Sequence, residues 1–191
     1  MSIEIIYVIL YSYLLGSIPY GLILTKLYLN KDLRSIGSGN IGATNALRSG
    51  NKVLGILTFI LDLSKGFVSV FITYKFYPDL INLSGFSCIL GHIFSIWLKF
   101  KGGKGVSTYL GVLIQINFFL ATFFIISWVI IFSISKFSSL SSLLSSALVL
   151  IVNIYFYGFY ESINLFIFFI TLVFTHKKNI ELLLYGKENK F

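Results

Sequence analysis

The chain has 191 residues, of which 57% are hydrophobic, 18% aromatic and only 12% charged. No soluble domain of this length has an interior that could hide so much apolar surface, so the composition excludes a soluble enzyme and points to an integral membrane protein. In a soluble protein the net charge of +8 would raise nucleic acid as a partner; here the charges lie between apolar runs, where topology and anionic ligands account for them and no nucleic-acid partner is expected.

The first apolar run covers residues 3–25. It has no basic leader and no clear small-residue cleavage site, so it reads as a retained helix and not as a signal peptide. Further runs follow at 53–76, 82–98, 106–135, 140–158 and 160–175. The single cysteine, Cys88, lies in the third run. It excludes an internal disulfide and a cysteine-based metal site, and reads as packing. The serine-rich stretch SSLSSLLSS near the start of the fifth run reads as a helix start with small packing residues.

Residues 106–135 decide the topology. As one helix they would measure about 45 Å at about 1.5 Å per residue, too long for one comfortable span. A break at Gln115 to Asn117 places all but Lys65 and Lys75 of the fifteen Lys and Arg residues on one side, as the positive-inside rule favours. The expectation is an all-α integral membrane protein: one membrane domain over 1–191, with seven transmembrane helices, the N-terminus outside and the C-terminus cytoplasmic. The fourth and fifth helices are then short, and tilt or local bilayer thinning accommodates them. Three polar, basic segments fall on the cytoplasmic side: GSGNIGATNALR at 37–48, KFKGGKG at 99–105 and HKKNIELLLYGKENK at 176–190. They are candidates to converge on one ligand.

The glycine–lysine loop is not a P-loop, since Gly105 stands where Ser or Thr should follow Lys104. Gly102, Gly103 and Gly105 would let backbone approach a phosphate. The helix that begins there would add N–H groups and a favourable dipole, and Lys99, Lys101 and Lys104 add charge. A flexible turn with headgroup-anchoring lysines fits the same residues. In the first segment Ser38, Asn40, Thr44, Asn45 and Arg48 outnumber what loop capping requires, and Arg suits bidentate phosphate binding. His176 and Asn179 share a face at i, i+3 if the last helix continues beyond the membrane. His92, seven residues before Lys99 and about 10 Å deeper if helical, reads as a buried structural hydrogen-bonder. Asp62 and Lys65, at i, i+3 inside the second run, can pair; such a pair marks either a site or a structural brace. Arg34, Asp32 and Lys52 read as solvated charges. No metal set, nucleophile elbow or close carboxylate pair is present, so no metal and no cofactor are expected.

GSGNIGATNALR, GHIFSIWLKFKGGKGVST and HKKNIELLLYGKE, in that order, resemble the three signature segments of the bacterial acyl-phosphate:glycerol-3-phosphate acyltransferases, the PlsY family. YLLGSIPYGLI, LDLSKG and FSSLSS are similar to that family's pattern as well, so the resemblance runs from about Tyr13 to Glu188. It implies a seven-helix enzyme of the bacterial cytoplasmic (inner) membrane, active on the cytoplasmic face. Such an enzyme moves an acyl group from acyl phosphate to the 1-hydroxyl of sn-glycerol 3-phosphate, giving lysophosphatidic acid and phosphate. It implies Ser38, Arg48, Lys104, His176 and Asn179 as catalytic residues and Gly102, Gly103 and Gly105 as a glycerol-phosphate loop, with Glu188 matching the family's motif glutamate. Asn40, Thr44 and Asn45 join as substrate-binding candidates. A functional link to the enzyme that makes acyl phosphate follows. Ser95 stands where the family usually has Pro, and Glu181 and Leu182 stand where it often has basic residues.

An acyl phosphate is an activated mixed anhydride, so direct attack by the glycerol hydroxyl is feasible. Arg48, Lys104 and loop N–H groups would neutralise charge, and Ser38, Asn45 and Asn179 would orient the substrates. The proton goes to the departing phosphate or to His176. The rival class is a small membrane transporter of an organic phosphate, whose site would sit near the midplane between related halves.

Overall fold

A computed structural model describes residues 2–191 and, among them, shows helices and no strand. The helices are α1 (Ser2–Ser17), α2 (Tyr20–Leu29), α3 (Ala43–Leu47), α4 (Lys52–Phe76), α5 (Ile81–Ile93), α6 (Val106–Ile116), α7 (Phe118–Ser135), α8 (Ser138–Tyr157), α9 (Ile163–Thr175) and α10 (Lys177–Leu184). Among the described residues five segments are long and apolar enough to cross a membrane: Ser2–Leu29, Lys52–Phe76, Pro78–Leu98, Phe118–Ser135 and Ser138–Tyr157. Val106–Ile116 and Tyr160–Thr175 are shorter apolar helices. Contacts divide the chain into two compact units, Met1–Ile116 and Asn117–Phe191.

In the first unit α1 packs along α5, and α4 along α6. Both pairs touch backbone to backbone through reciprocal glycines. A Cβ on Gly16 would run into the Cys88 carbonyl, and one on Gly91 into that of Tyr13. Gly66 and Gly111 stand in the same relation to Thr108 and Leu63. In lipid such close approach supplies the dispersion energy that a hydrophobic driving force cannot. Hydroxyls join the helices: Ser84 Oγ lies 3.0 Å from Ser12 Oγ and 2.9 Å from Ser69 Oγ.

The composition reads residues 3–25 as one helix; the structure divides it at Ile18–Pro19. Proline has no N–H and disfavours helical geometry in the residue before it. The Ile18 carbonyl accepts the Tyr20 N–H at 3.2 Å, and distant side chains supply further donors at the break. Ser95 Oγ donates to the Ser17 carbonyl at 2.6 Å, and Lys65 Nζ to that of Ile18 at 3.0 Å. Lys65 also pairs with Asp62 at 2.9 Å, with both residues 2% exposed.

The second unit begins at Asn117, inside the expected break at Gln115 to Asn117. Its backbone is extended, and its side chain accepts from the Leu120 N–H at 3.1 Å and caps α7. Helix α7 packs along α8, and α8 also contacts α9 and α10. The serine-rich stretch opens α8 as expected, with Ser139, Ser141, Ser142, Ser145 and Ser146 buried. Trp128 Nε1 donates to Ser142 Oγ at 3.0 Å, tying α7 to that serine face.

Candidate active site

The loop at 37–48 is built around one side chain. Asn45, 2% exposed, accepts the Ser38 N–H at 2.9 Å through Oδ1. Its amide group donates to the carbonyls of Leu33, Ile36 and Asn40 at 3.0, 2.9 and 2.7 Å. Its polar atoms are therefore engaged by backbone, and it organises the loop where the sequence suggested substrate contact. Gly37, at φ +51°, turns the chain in the left-handed region. A Cβ there would come within 3.0 Å of Arg48 Cδ, so the stem of Arg48 lies against the turn that carries Ser38. Ser38 is exposed, while Asn40, Thr44 and Arg48 are half-buried. Outside this turn, Arg34 and Asp32 form an exposed ion pair at 2.7 Å. The hydrogen bonds from Arg34 hold the Asp32 carboxyl down to about 2.

The glycine–lysine loop does not run away from α5; it doubles back onto its C-terminus. Gly102 N–H donates to the Ile93 carbonyl at 2.8 Å and Gly103 N–H to the His92 carbonyl at 3.0 Å. A helix leaves its last carbonyls without partners, and these two glycines supply them. Their N–H groups are thus used inside the protein, not offered to a phosphate as the sequence suggested. Any Cβ on Gly102 would strike the His92 carbonyl, and any on Gly103 the His92 ring. His92 is buried as expected, at 4% exposure. It does not lie remote from the loop, as helical spacing implied, because the helix ends at Ile93 and the chain returns. Gly105, at φ +88°, turns the chain into α6, whose first-turn N–H groups and dipole then follow Lys104. The two loops share an apolar base: Leu98 packs with Leu33, Ile41 and Ala46.

In the second unit α9 ends at Thr175 and α10 starts at Lys177, with His176 at the joint and 1% exposed. His176 Nδ1 lies 2.8 Å from the Leu172 carbonyl. A carbonyl only accepts, so Nδ1 carries a proton, and in the neutral ring Nε2 is the acceptor. Asn179 Nδ2 donates to Glu188 Oε1 at 2.6 Å, and Ser139 Oγ donates to the same oxygen at 3.0 Å. Glu188 thus holds Asn179 in place. Sequence spacing gave no sign of Ser139 in this arrangement; it reads as one of several packing serines. Among the described residues no three His, Cys, Asp or Glu side chains converge to hold a metal.

A family model described as glycerol-3-phosphate acyltransferase matches residues 6–186. The chain belongs to the glycerol-3-phosphate acyltransferase family. Among curated members of the glycerol-3-phosphate acyltransferase family, the protein from Pelagibacter ubique is 54% identical over 98% of this chain and 97% of its own length. That from Brucella anthropi is 46% identical over 100% of this chain and 94% of its own. The fold matches the crystal structure of PlsY (YgiH), an integral membrane glycerol 3-phosphate acyltransferase, in its glycerol 3-phosphate form. The TM-score is 0.92 at 33% identity, covering 98% of this chain and 96% of that one. The lysophosphatidic acid form of the same enzyme matches with a TM-score of 0.89 at 31% identity, over 98% and 95%. The acyltransferase family's fold and this chain's apolar helices together make it a multi-pass membrane protein.

Proposed function

We propose that the chain transfers an acyl group from acyl phosphate to the 1-hydroxyl of sn-glycerol 3-phosphate, releasing lysophosphatidic acid and inorganic phosphate. The observation that carries this reading is the neighbour that covers 98% of the chain. It is described in forms with glycerol 3-phosphate and with lysophosphatidic acid, the acceptor and the product of this reaction. The acceptor's 1-oxygen attacks the acyl carbonyl carbon, the bond from that carbon to the phosphate oxygen breaks, and the hydroxyl proton leaves with the phosphate. That oxygen grows more basic as its bond to carbon breaks, so no protein base is needed.

Arg48 and Lys104 carry the charge that faces phosphate, with the first turn of α6 behind Lys104. Ser38, Asn40 and Thr44 contact the substrates from the loop that Asn45 organises. Gly102, Gly103 and Gly105 shape the second loop. His176 orients the acceptor hydroxyl through Nε2, its other nitrogen being held by Leu172, and Asn179 orients substrate from its seat on Glu188. The enzyme works in the bacterial cytoplasmic membrane beside the one that makes acyl phosphate. It has seven spans, the N-terminus outside, and residues 37–48, 99–105 and 176–188 at the cytoplasmic face. Cysteine-accessibility labelling is expected to place positions 51, 101 and 187 in the cytoplasm and 79 outside. Opposite sides for 101 and 187 would sink this topology.

The activity is tested on purified protein in nanodiscs with acyl phosphate and glycerol 3-phosphate. Turnover is expected to proceed with EDTA present and to stop when acyl-CoA replaces acyl phosphate. Equal rates with acyl-CoA, or loss of activity in EDTA, would refute the donor and the chemistry respectively.

A further inference from the structure

Behind the glycine–lysine loop lies a buried polar cluster that the transfer reaction does not use. His92, Asp62 and Lys65 are 4%, 2% and 2% exposed. His92 Nδ1 lies 3.7 Å from Asp62 Oδ1. The same carboxylate oxygen is 2.9 Å from Lys65 Nζ, which donates to the Ile18 carbonyl at 3.0 Å. One edge of the His92 ring therefore faces an ion pair on α4 that is anchored to the α1–α2 break. The other edge faces Gly103: an added Cβ there would run first into Nε2, then lie 2.9 Å from Cε1 and 3.1 Å from Cδ2.

Two constraints thus fix Gly103. Its N–H is bonded to the His92 carbonyl at 3.0 Å, and the ring of that same residue fills the place a Cβ would take. The ring has little room to withdraw, because the Asp62–Lys65 pair occupies the space behind it. Lys104 is the next residue, and α6 starts two residues later, at Val106. Resting on the glycerol-3-phosphate reading above, we infer that His92, backed by Asp62 and Lys65, is a positioning residue. It sets the seat of Gly103, and so the placement of Lys104 and the start of α6 against the acceptor's phosphate. Glycine is required at position 103 by the ring beneath it, and not by a ligand above it.

This assigns a specific dependence between two positions, and a double-mutant cycle reads it. Gly103→Ala alone forces overpacking against a ring that cannot yield, and should raise KM for glycerol 3-phosphate by about 5- to 150-fold with a smaller change in kcat. His92→Ala removes the obstacle. In that background Gly103→Ala should add no more than about a threefold rise in KM. His92→Gln fills much of the ring's place, so there the Gly103→Ala effect should persist. Such non-additivity, confined to KM, is what a merely structural histidine would not produce.

Effects of His92→Ala and Gly103→Ala that multiply in full would overturn the proposal and return Gly103 to direct ligand contact. If His92→Ala yields no folded protein, His92→Ser, which also removes the ring but leaves a polar side chain, carries the same cycle. Failure of both to fold would assign His92 to stability alone and overturn the proposal as well. Absence of wild-type turnover would remove the acyltransferase reading and this inference with it, whereas wild-type turnover with multiplicative effects removes only this inference.

Discussion

Asp62→Asn is expected to destabilise the protein by about 3–5 kcal/mol, because it leaves the Lys65 ammonium buried without its counter-charge. Lys65 is 2% exposed; besides Asp62 it meets only neutral groups, donating to the Ile18 carbonyl and lying 5.8 Å from the centre of the Tyr20 ring. A charged group in such a place is held only by pairing, since the solvation it has lost is worth several kcal/mol. The measurement is the thermal transition of purified protein in a fixed detergent. The midpoint should fall by many degrees, and much of the loss should return in Asp62→Asn/Lys65→Met, where no unpaired charge remains. A single mutant whose midpoint stays within about 2 °C of wild type, less than about 1 kcal/mol for a chain of this size, would show that the pair is not a brace. The double mutant would still lack the support behind His92, so recovery of its stability should exceed recovery of its affinity for glycerol 3-phosphate.

Arg48→Ala should lower kcat/KM by about 10- to 150-fold, the loss of one charge-assisted contact of about 1.5–3 kcal/mol at about 1.36 kcal/mol per decade. Arg48→Lys keeps the charge but not the planar fork, so it should recover only part of the loss. The stem of Arg48 packs on the Gly37 turn, and thermal stability therefore has to be measured beside the kinetics. Near-wild-type kinetics in stably folded Arg48→Ala would remove Arg48 from phosphate recognition. In the same assay His176→Gln should weaken substrate use while a measurable kcat remains, because the leaving phosphate receives the proton. A fall in kcat of about 10²–10⁴ at constant KM would instead make Nε2 of His176 the base.

Much of the architecture is legible in the chain because lipid restricts what can span it. Apolar runs have to be helices when no water can satisfy their backbone. The break at Gln115 to Asn117 is legible from the length of the apolar run and the charge distribution, and the structure adds the Asn117 cap that makes it. The Pro19 break carries an equally local signal, yet a continuous apolar run masks it. The resemblance marks Ser38, Arg48, Lys104, His176 and Asn179 by type and order. It cannot tell which polar residues build a loop and which face its ligand. Asn45 shows the difference: its side chain suits substrate binding, and its hydrogen bonds go to four backbone groups between Leu33 and Asn40. The glycines at 102 and 103 show it again. Glycine signals close approach, but what approaches is set by where the chain turns, and Lys99 and Phe100 turn it back at φ +51° and +63°. Neither residue type favours that left-handed region, so the reversal has no sequence signature.

The carbonyl released at Ser17 bears on how the chain is made. Its donor lies 78 residues further along, at Ser95. Translation at about 5–20 residues per second separates the first helix from its last partner by about 4–16 s. Over that interval the opening span carries polar backbone that hydrocarbon cannot satisfy, and it is best accommodated beside the insertion machinery or at the headgroup boundary. Helix α1 thus settles fully only after the residues beyond α5 have been made.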